Sequence, residues 1–221
     1  MRNLHMGRVI AIDGPSGAGK STVSQCVAVR LGFSFLDTGA LYRALALHLV
    51  RKGLSSDGTD DDLRRALAGV EVSYRDGNVC LNGEDVSEAI RTPAAGAAAS
   101  EFSARRVVRD HLLGVQRDLA ARHDIVAEGR DMTTVVFPAA WRKFYLDANV
   151  RVRALRRFHQ LRGRGVETTM EEAAADVVER DRRDMGREIA PLRKADDALY
   201  IDTTDMPFEA VVETILSTTR R

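Results

Sequence analysis

At 221 residues, with 33 lysines and arginines against 32 aspartates and glutamates and a formal net charge of +1, the chain is sized for one compact domain with room for a small insertion and a sizeable core. So even a balance says nothing for or against nucleic acid or a membrane surface as partner. No apolar run is long enough to span a bilayer, and residues 1–7 lack the apolar centre of a signal peptide, so the expectation is a cytoplasmic protein with neither nucleic acid nor membrane as partner. Arginine far outnumbers lysine. A GC-rich genome would account for most surface arginines, so only arginines inside a motif carry weight. The two cysteines, Cys26 on the apolar face of a helix and Cys80 in a strand, read as small core residues and not as a disulfide. The five histidines show no metal-ligand spacing.

In chain order, Val9-Ile10-Ala11-Ile12 reads as a buried strand. It runs into Gly14-Pro15-Ser16-Gly17-Ala18-Gly19-Lys20-Ser21, which fits G-x-x-x-x-G-K-[ST]. A helix follows from Thr22 to Leu31, with Val23, Cys26, Val27, the Arg30 stem and Leu31 on its buried stripe. Strand, glycine-rich loop and helix are the context that makes the motif a phosphate-binding loop. Glycines let successive N–H groups turn inward on an anion, and the helix brings its positive end to the same point. Lys20 supplies a mobile charge for the outer phosphates, and the Ser21 hydroxyl can ligate Mg2+. The loop, read as exposed, specifies a nucleoside triphosphate but not its use. Asp13, just before it, is expected to hydrogen-bond loop backbone.

A second strand, Phe33–Leu36, ends at Asp37-Thr38-Gly39, and a helix runs from Ala40 to Lys52 with Leu41, Leu45 and Leu49 inside. From Ser55 to about Arg91 the pattern changes. A short capped helix at Asp60–Ala68 precedes two strands, Val70–Tyr74 and Val79–Leu81, joined by an Asp76-Gly77-Asn78 turn. An antiparallel hairpin does not fit a βαβ rhythm, so this stretch reads as an insertion with its own small sheet. Helices are expected at Pro93–Ser103 and Arg105–Arg122, the second amphipathic and carrying Val108, Leu112, Val115 and Leu119. A strand at Asp124–Ala127 delivers Glu128-Gly129-Arg130-Asp131 at its end. Another strand, Lys143–Leu146, leads to Asp147. Helices at Val150–Leu161 and Thr169–Met185 flank Arg162-Gly163-Arg164-Gly165, a flexible basic turn. A strand at Ala198–Ile201 and a helix at Phe208–Ser217 close the chain. Strands alternating with helices give a parallel sheet covered on both faces, with ligands at the carboxyl ends of its strands.

Phosphoryl transfer is a matter of positioning and charge neutralisation. An acceptor phosphate needs arginines of its own, and Arg43, Arg130 and Arg187 are the candidates. Arg180, Asp184 and Arg187 fall at i, i+4 and i+7 on one helix face, which suits either a ligand site or a solvated surface helix. The arginines at 151, 153, 156, 157, 162 and 164 likewise suit either an exposed helix or a mobile lid that excludes water. No Asn-Lys-x-Asp element is present, which argues against a GTPase switch.

Together the ordered motifs resemble the bacterial-type cytidylate kinases, within the nucleoside monophosphate kinases. The resemblance is carried by Ile12–Lys20, Asp37–Arg43, Gly83–Ser87 with Ile90-Arg91-Thr92, Gly129–Met132 with Thr134–Pro138, and Arg180–Asp184 before Ala190-Pro191-Leu192, and it spans almost the whole chain. It implies an α/β P-loop kinase: a central parallel sheet flanked by helices, a small antiparallel β insertion and a helical lid. The core would be about 8–54, 104–148 and 190–221, the monophosphate-binding insertion about 55–103 and the lid about 149–189. It implies ATP bound by Gly14, Pro15, Ser16, Gly17, Ala18, Gly19, Lys20, Ser21 and Thr22, with Mg2+ touched by Ser21. Arg43, Arg130 and Arg187 would hold the acceptor phosphate beside Thr38 and Tyr42, while Arg180 and Asp184 hold the pentose. Ser100, Arg109 and Asp131 would read cytosine, whose amino donor suits a carboxylate; uracil would present an acceptor to Asp131 instead. Lys20, Arg130, Arg156, Arg157 and Arg187 would surround the moving phosphoryl group, with Arg156 and Arg157 on the lid. The activity implied is ATP plus CMP or dCMP giving ADP plus CDP or dCDP, by a monomer. Two other readings stay open: a UMP- or shikimate-type kinase, separated by an acceptor panel, and a regulatory ATPase, which would hydrolyse ATP without stimulation by CMP.

Overall fold

The computed structural model describes residues 7–75 and 78–219. Along the chain run β1 (Val9–Asp13), α1 (Lys20–Leu31), β2 (Ser34–Asp37), α2 (Thr38–Arg51) and α3 (Asp60–Leu67). There follow β3 (Val72–Arg75), β4 (Asn78–Leu81), β5 (Glu84–Asp85), α4 (Pro93–Phe102) and α5 (Arg106–Arg122). Then come β6 (Ile125–Gly129), β7 (Arg142–Asp147), α6 (Val150–Arg162), α7 (Met170–Gly186), β8 (Leu199–Asp202) and α8 (Phe208–Thr219). These form two compact units, one of residues up to Leu36 with those from Arg122 onward, the other Asp37–Ala121.

In the first unit the large sheet has the order β2-β6-β1-β7-β8. β1 pairs in parallel with β6, Val9 opposite Ile125 through Asp13 opposite Gly129, and with β7 on its other side. β7 pairs in parallel with β8. Every residue of β1 is buried, as a central strand covered on both faces requires. The core joins Ile10, Ile12, Val126, Phe144 and Leu146 of the sheet to Val23 and Val27 of α1 and Val212 and Ile215 of α8. Each such side chain contributes about 1.5–3 kcal/mol by leaving water, so this layer, and not the polar loops, fixes where the strand ends lie. The Arg30 stem is not part of the buried stripe. Arg30 is exposed and its guanidinium meets Glu209 at 2.5 Å and Glu213 at 2.6 Å on α8. Cys26 is half-buried and Cys80 buried, and both are free thiols.

In the second unit a sheet of order β3-β4-β5 is antiparallel. The hairpin therefore has a third strand, which was not expected because β5 is only two exposed acidic residues. Its signal is Asn82-Gly83, with φ of 50° and 84°, a two-residue turn matched to strand twist. The first two residues of the Asp76-Gly77-Asn78 turn lie outside the described residues, as do residues 1–6. α2 starts two residues earlier than the sequence suggests because the Asp37 carboxylate accepts from Ala40 N at 2.9 Å and caps it. No helix among the described residues is long and apolar enough to cross a membrane.

Candidate active site

The parallel strands β1, β6, β7 and β8 end together, so Asp13, Gly129, Asp147 and Asp202 mark one edge of the sheet. From Asp13 the chain turns into the phosphate loop. Gly14 has φ of 151°, and a Cβ there would stand 1.9 Å from the Leu146 carbonyl oxygen. Gly17, at φ of 77°, would bring a Cβ to 2.7 Å from the Arg153 carbonyl oxygen. Only glycine fits either place. Pro15, Ser16 and Ala18 are buried, Gly17 and Gly19 half-buried, and Ser21 and Thr22 exposed on the first turn of α1.

Lys20 is not in an exposed loop. It is the first residue of α1, 6% exposed, and its Nζ donates to the Pro15 carbonyl at 2.7 Å. The loop folds back over its own lysine, so the stem is enclosed. Burial first, and then the charge of Arg130, push the Lys20 ammonium down to about 7; Arg180 acts the same way, and Glu128 and Asp13 oppose it.

Asp13 does not bond the phosphate loop. Its buried carboxylate accepts from Met132 N at 2.9 Å, Thr133 N at 2.7 Å and the Thr133 hydroxyl at 2.6 Å. It thereby fixes the turn after β6, the one carrying Arg130 and Asp131. Burial pushes Asp13 up to about 6 although these hydrogen bonds favour its ionised form.

Arg130 donates from Nε to the Asp184 carboxylate at 2.7 Å. Burial works against its charge, but Asp184, Glu128 and Asp181 outweigh that and raise its pKa. Burial likewise opposes ionisation of Asp184, and Arg130, Arg180 and Arg187 overcome it and hold the carboxyl below its ordinary value. Arg187 lies just past the end of α7, at its C-cap, and not on the helix face with Arg180 and Asp184. Its guanidinium is buried, 3.9 Å from the Asp131 carboxylate and 4.0 Å from Asp184. Its Nε donates to the Ala190 carbonyl at 2.7 Å. Ala190 holds φ of 49° immediately before Pro191, a conformation disfavoured for both reasons, and Leu192 N donates to the Asp184 carbonyl at 2.8 Å. A strained backbone thus presents the carbonyl that aims Arg187.

The α6–α7 pair brings two further arginines. Arg156 donates to the Thr203 hydroxyl at 2.9 Å, to the Thr203 carbonyl at 2.7 Å and to the Gly17 carbonyl at 3.5 Å, so it lies against the phosphate loop. Burial lowers its pKa. Arg157 turns to α7 instead, its Nε on Asp176 at 2.8 Å and a terminal nitrogen on Gln160 at 2.8 Å.

The second unit gathers its own set. Thr38 and Tyr42 are buried on α2, and Arg43 pairs with Asp37 at 3.0 Å. The Arg109 guanidinium lies 5.6 Å from the Tyr42 ring centroid and donates to the Ser103 carbonyl at 3.2 Å. Ser100 is buried and its hydroxyl has no hydrogen-bond partner among the described residues. A buried hydroxyl is ordinarily completed by a water or a ligand.

Three residues near the loop were not singled out in the sequence. Arg153 and Asp181 form a buried ion pair beside Ser16. The hydroxyl of Thr203, just after β8, lies 2.9 Å from the Asp147 carbonyl and 3.3 Å from the Ala18 carbonyl, with one proton to donate between them. Arg153 was submerged in a run of arginines and Asp181 in a run of alternating charge. The one usable signal is that Arg153 and Arg156 are i, i+3 on a helix. Among the described residues no cluster of three or more His, Cys, Asp or Glu could hold a metal. The exposed Ser21 hydroxyl on the first turn of α1 is a hard oxygen donor of the kind that suits Mg2+.

A sequence model of the family described as cytidylate kinase matches residues 10–221. A protein named cytidylate kinase from Thermodesulfovibrio yellowstonii is 53% identical, covering 96% of this chain and 97% of its own. One from Geobacter sulfurreducens with the same name is 47% identical, covering 97% and 93%. Among solved structures, an uncharacterized protein from Eubacterium ventriosum shares the fold with a TM-score of 0.53 at 11% identity, covering 96% of this chain and 97% of that one.

Proposed function

The chain belongs to the cytidylate kinase family, and from that premise we propose that it transfers the γ-phosphoryl group of ATP to CMP or dCMP, giving CDP or dCDP. The observation that carries the reaction type is the buried charge group at the sheet edge. There the loop of Gly14–Ser21 and Lys20 adjoin Arg130, which is paired with Asp184.

The roles follow from charge and position. Loop residues Gly14 to Thr22, through the amides not already bonded within the protein, and the positive end of α1 hold the donor phosphates. Lys20 supplies a charge that phosphate calls back onto it. Mg2+, when bound with ATP and touched by Ser21, would neutralise charge on the donor phosphates. Arg156, already at the loop, and Arg157 on the same helix serve as lid cations, the lid being about 149–189. Arg43, Arg130 and Arg187 take the acceptor phosphate, with Thr38 and Tyr42 beside it. Arg180 and Asp184 take the pentose. Asp131 and Arg109 complement cytosine, and the unpartnered Ser100 hydroxyl supports a contact to the base. The acceptor phosphate oxygen is itself the nucleophile, so no side-chain base is required. About 55–103 forms the monophosphate-binding insertion. The protein works in the cytoplasm and as a monomer, and light scattering on the purified chain tests the monomer.

ADP formation measured against CMP, dCMP, UMP and shikimate tests the activity. CMP or dCMP should lead at low concentration. UMP outpacing CMP, or ADP release without any acceptor, would overturn the assignment.

A further inference from the structure

Arg153 of α6 and Asp181 of α7 are both buried and paired with each other. The pair converges on the backbone of one residue of the phosphate loop. The Asp181 carboxylate accepts from Ser16 N at 3.3 Å, and Arg153 donates a terminal N–H to the Ser16 carbonyl at 3.1 Å. Arg153 Nε donates to the Ala148 carbonyl at 2.8 Å, which anchors the guanidinium to the end of β7. Gly17 packs so closely on Arg153 that a Cβ would stand 2.9 Å from the arginine Cβ. Both backbone hydrogen-bonding groups of Ser16 are therefore held by one ion pair drawn from two helices.

We infer that Arg153 and Asp181 are positioning residues for the donor site: they orient the two peptides that flank Ser16, and through them the loop curvature that aims the remaining amides at phosphate. Two features favour this over a purely structural pair. Replacing a buried ion pair by apolar groups is often neutral for stability, so stability alone does not explain charges here. Asp181 also stands between Arg180 and Asp184 on α7, so the helix that steadies the donor loop carries pentose and phosphate contacts as well. The inference rests on reading the loop as the ATP site.

The test measures ADP binding by titration calorimetry, together with KM for ATP, KM for CMP and kcat. The proteins are the wild type, Arg153→Met, Asp181→Asn and the double variant Arg153→Met/Asp181→Asn. Each single variant should lower ADP affinity about tenfold or more, since a charged hydrogen bond to the loop is lost and a charge is stranded. The double variant removes the stranded charge, so its melting temperature should recover toward wild type while ADP affinity and KM for ATP stay impaired. KM for CMP should move less than KM for ATP. Arg153→Lys, which keeps the charge but not the fork, should fall between wild type and Arg153→Met. A double variant with both melting temperature and ADP affinity restored would make the pair merely structural and overturn the inference. Unchanged ADP affinity in both single variants would overturn it too. ADP binding needs no acceptor, so an incorrect acceptor assignment would show in the acceptor panel and leave this result readable.

Discussion

The enclosure of Lys20 predicts that nucleotide binding is coupled to a proton. With its pKa pushed down to about 7, Lys20 is largely neutral in slightly alkaline solution, and Nζ still donates to the Pro15 carbonyl. Donor phosphates restore the ammonium. Near pH 8 about one lysine in ten is charged before binding, so each nucleotide should draw in about 0.9 of a proton. The sign follows from linkage. The complex binds more protons than the free protein, so affinity falls as pH rises, by about tenfold per pH unit between about 7 and the pKa in the complex. The assay is calorimetric titration of ADP near pH 8 and pH 9 in buffers of different ionisation enthalpy, with Lys20→Met as reference. Subtracting the variant removes protons that belong to the nucleotide or to other groups. Wild-type uptake near zero at pH 8, or equal to that of Lys20→Met, would show that Lys20 is already charged when enclosed and would refute the reasoning. Turnover of Lys20→Met should fall severely, while its fold holds because a buried cation is replaced by an apolar side chain of similar length.

Gly14→Ala should fail to fold or lose about 3 kcal/mol or more in urea unfolding, because a Cβ would overlap the Leu146 carbonyl at 1.9 Å on a strand that cannot move aside. A loss below about 0.5 kcal/mol would refute that packing. Asp13 takes its proton near 6 when folded and near 3.8 when unfolded, so the folded state holds the extra proton between those values. Stability from this group should decline as pH rises through that window and level off above it, and a wild-type minus Asp13→Asn difference that stays flat in urea titrations from pH 4 to 6.5 would contradict it. Asp131→Ala should lower the CMP-to-UMP ratio of kcat/KM by about tenfold or more with little change in KM for ATP; an unchanged ratio means that another group reads the base.

How far the sequence discloses this molecule depends on the range over which each feature acts. The phosphate loop is legible because its geometry is local: glycines, a buried strand before and a helix after. The parallel sheet is legible because βαβ periodicity repeats, and the small sheet because its alternation breaks that rhythm. What Asp13 bonds is not legible, since its partners at Met132 and Thr133 are 119 and 120 residues away and join it only through the β1–β6 pairing. The burial of Lys20 is hidden for a related reason. In the sequence it follows three glycines in a polar stretch, yet Pro15 folds back over it and the charges of Arg130 and Glu128 arrive from another strand. Arg187 reads as part of a helix face, but the chain leaves the helix at Gly186 and strain at Ala190 re-aims the guanidinium.

The choice of lysine in the loop and arginine elsewhere then acquires a physical reason. An arginine cannot give up its proton in a protein, so buried arginines need permanent counter-charges. Arg130 has Asp184, Arg153 has Asp181, and Arg187 lies near both Asp131 and Asp184. The charges of Arg130 and Arg180 oppose that of Lys20 while Glu128 and Asp13 favour it, and burial weighs against it most, so a fixed positive charge there would be disfavoured. A lysine can be neutral in that place and become charged when phosphate enters. An arginine at position 20 would keep its charge at all times and add permanent repulsion against Arg130. Lys20→Arg should therefore bind ADP without the proton uptake seen for lysine and should be less stable than Lys20→Met, and a Lys20→Arg protein as stable as Lys20→Met would show that repulsion at this position is screened and remove the argument for a switchable cation.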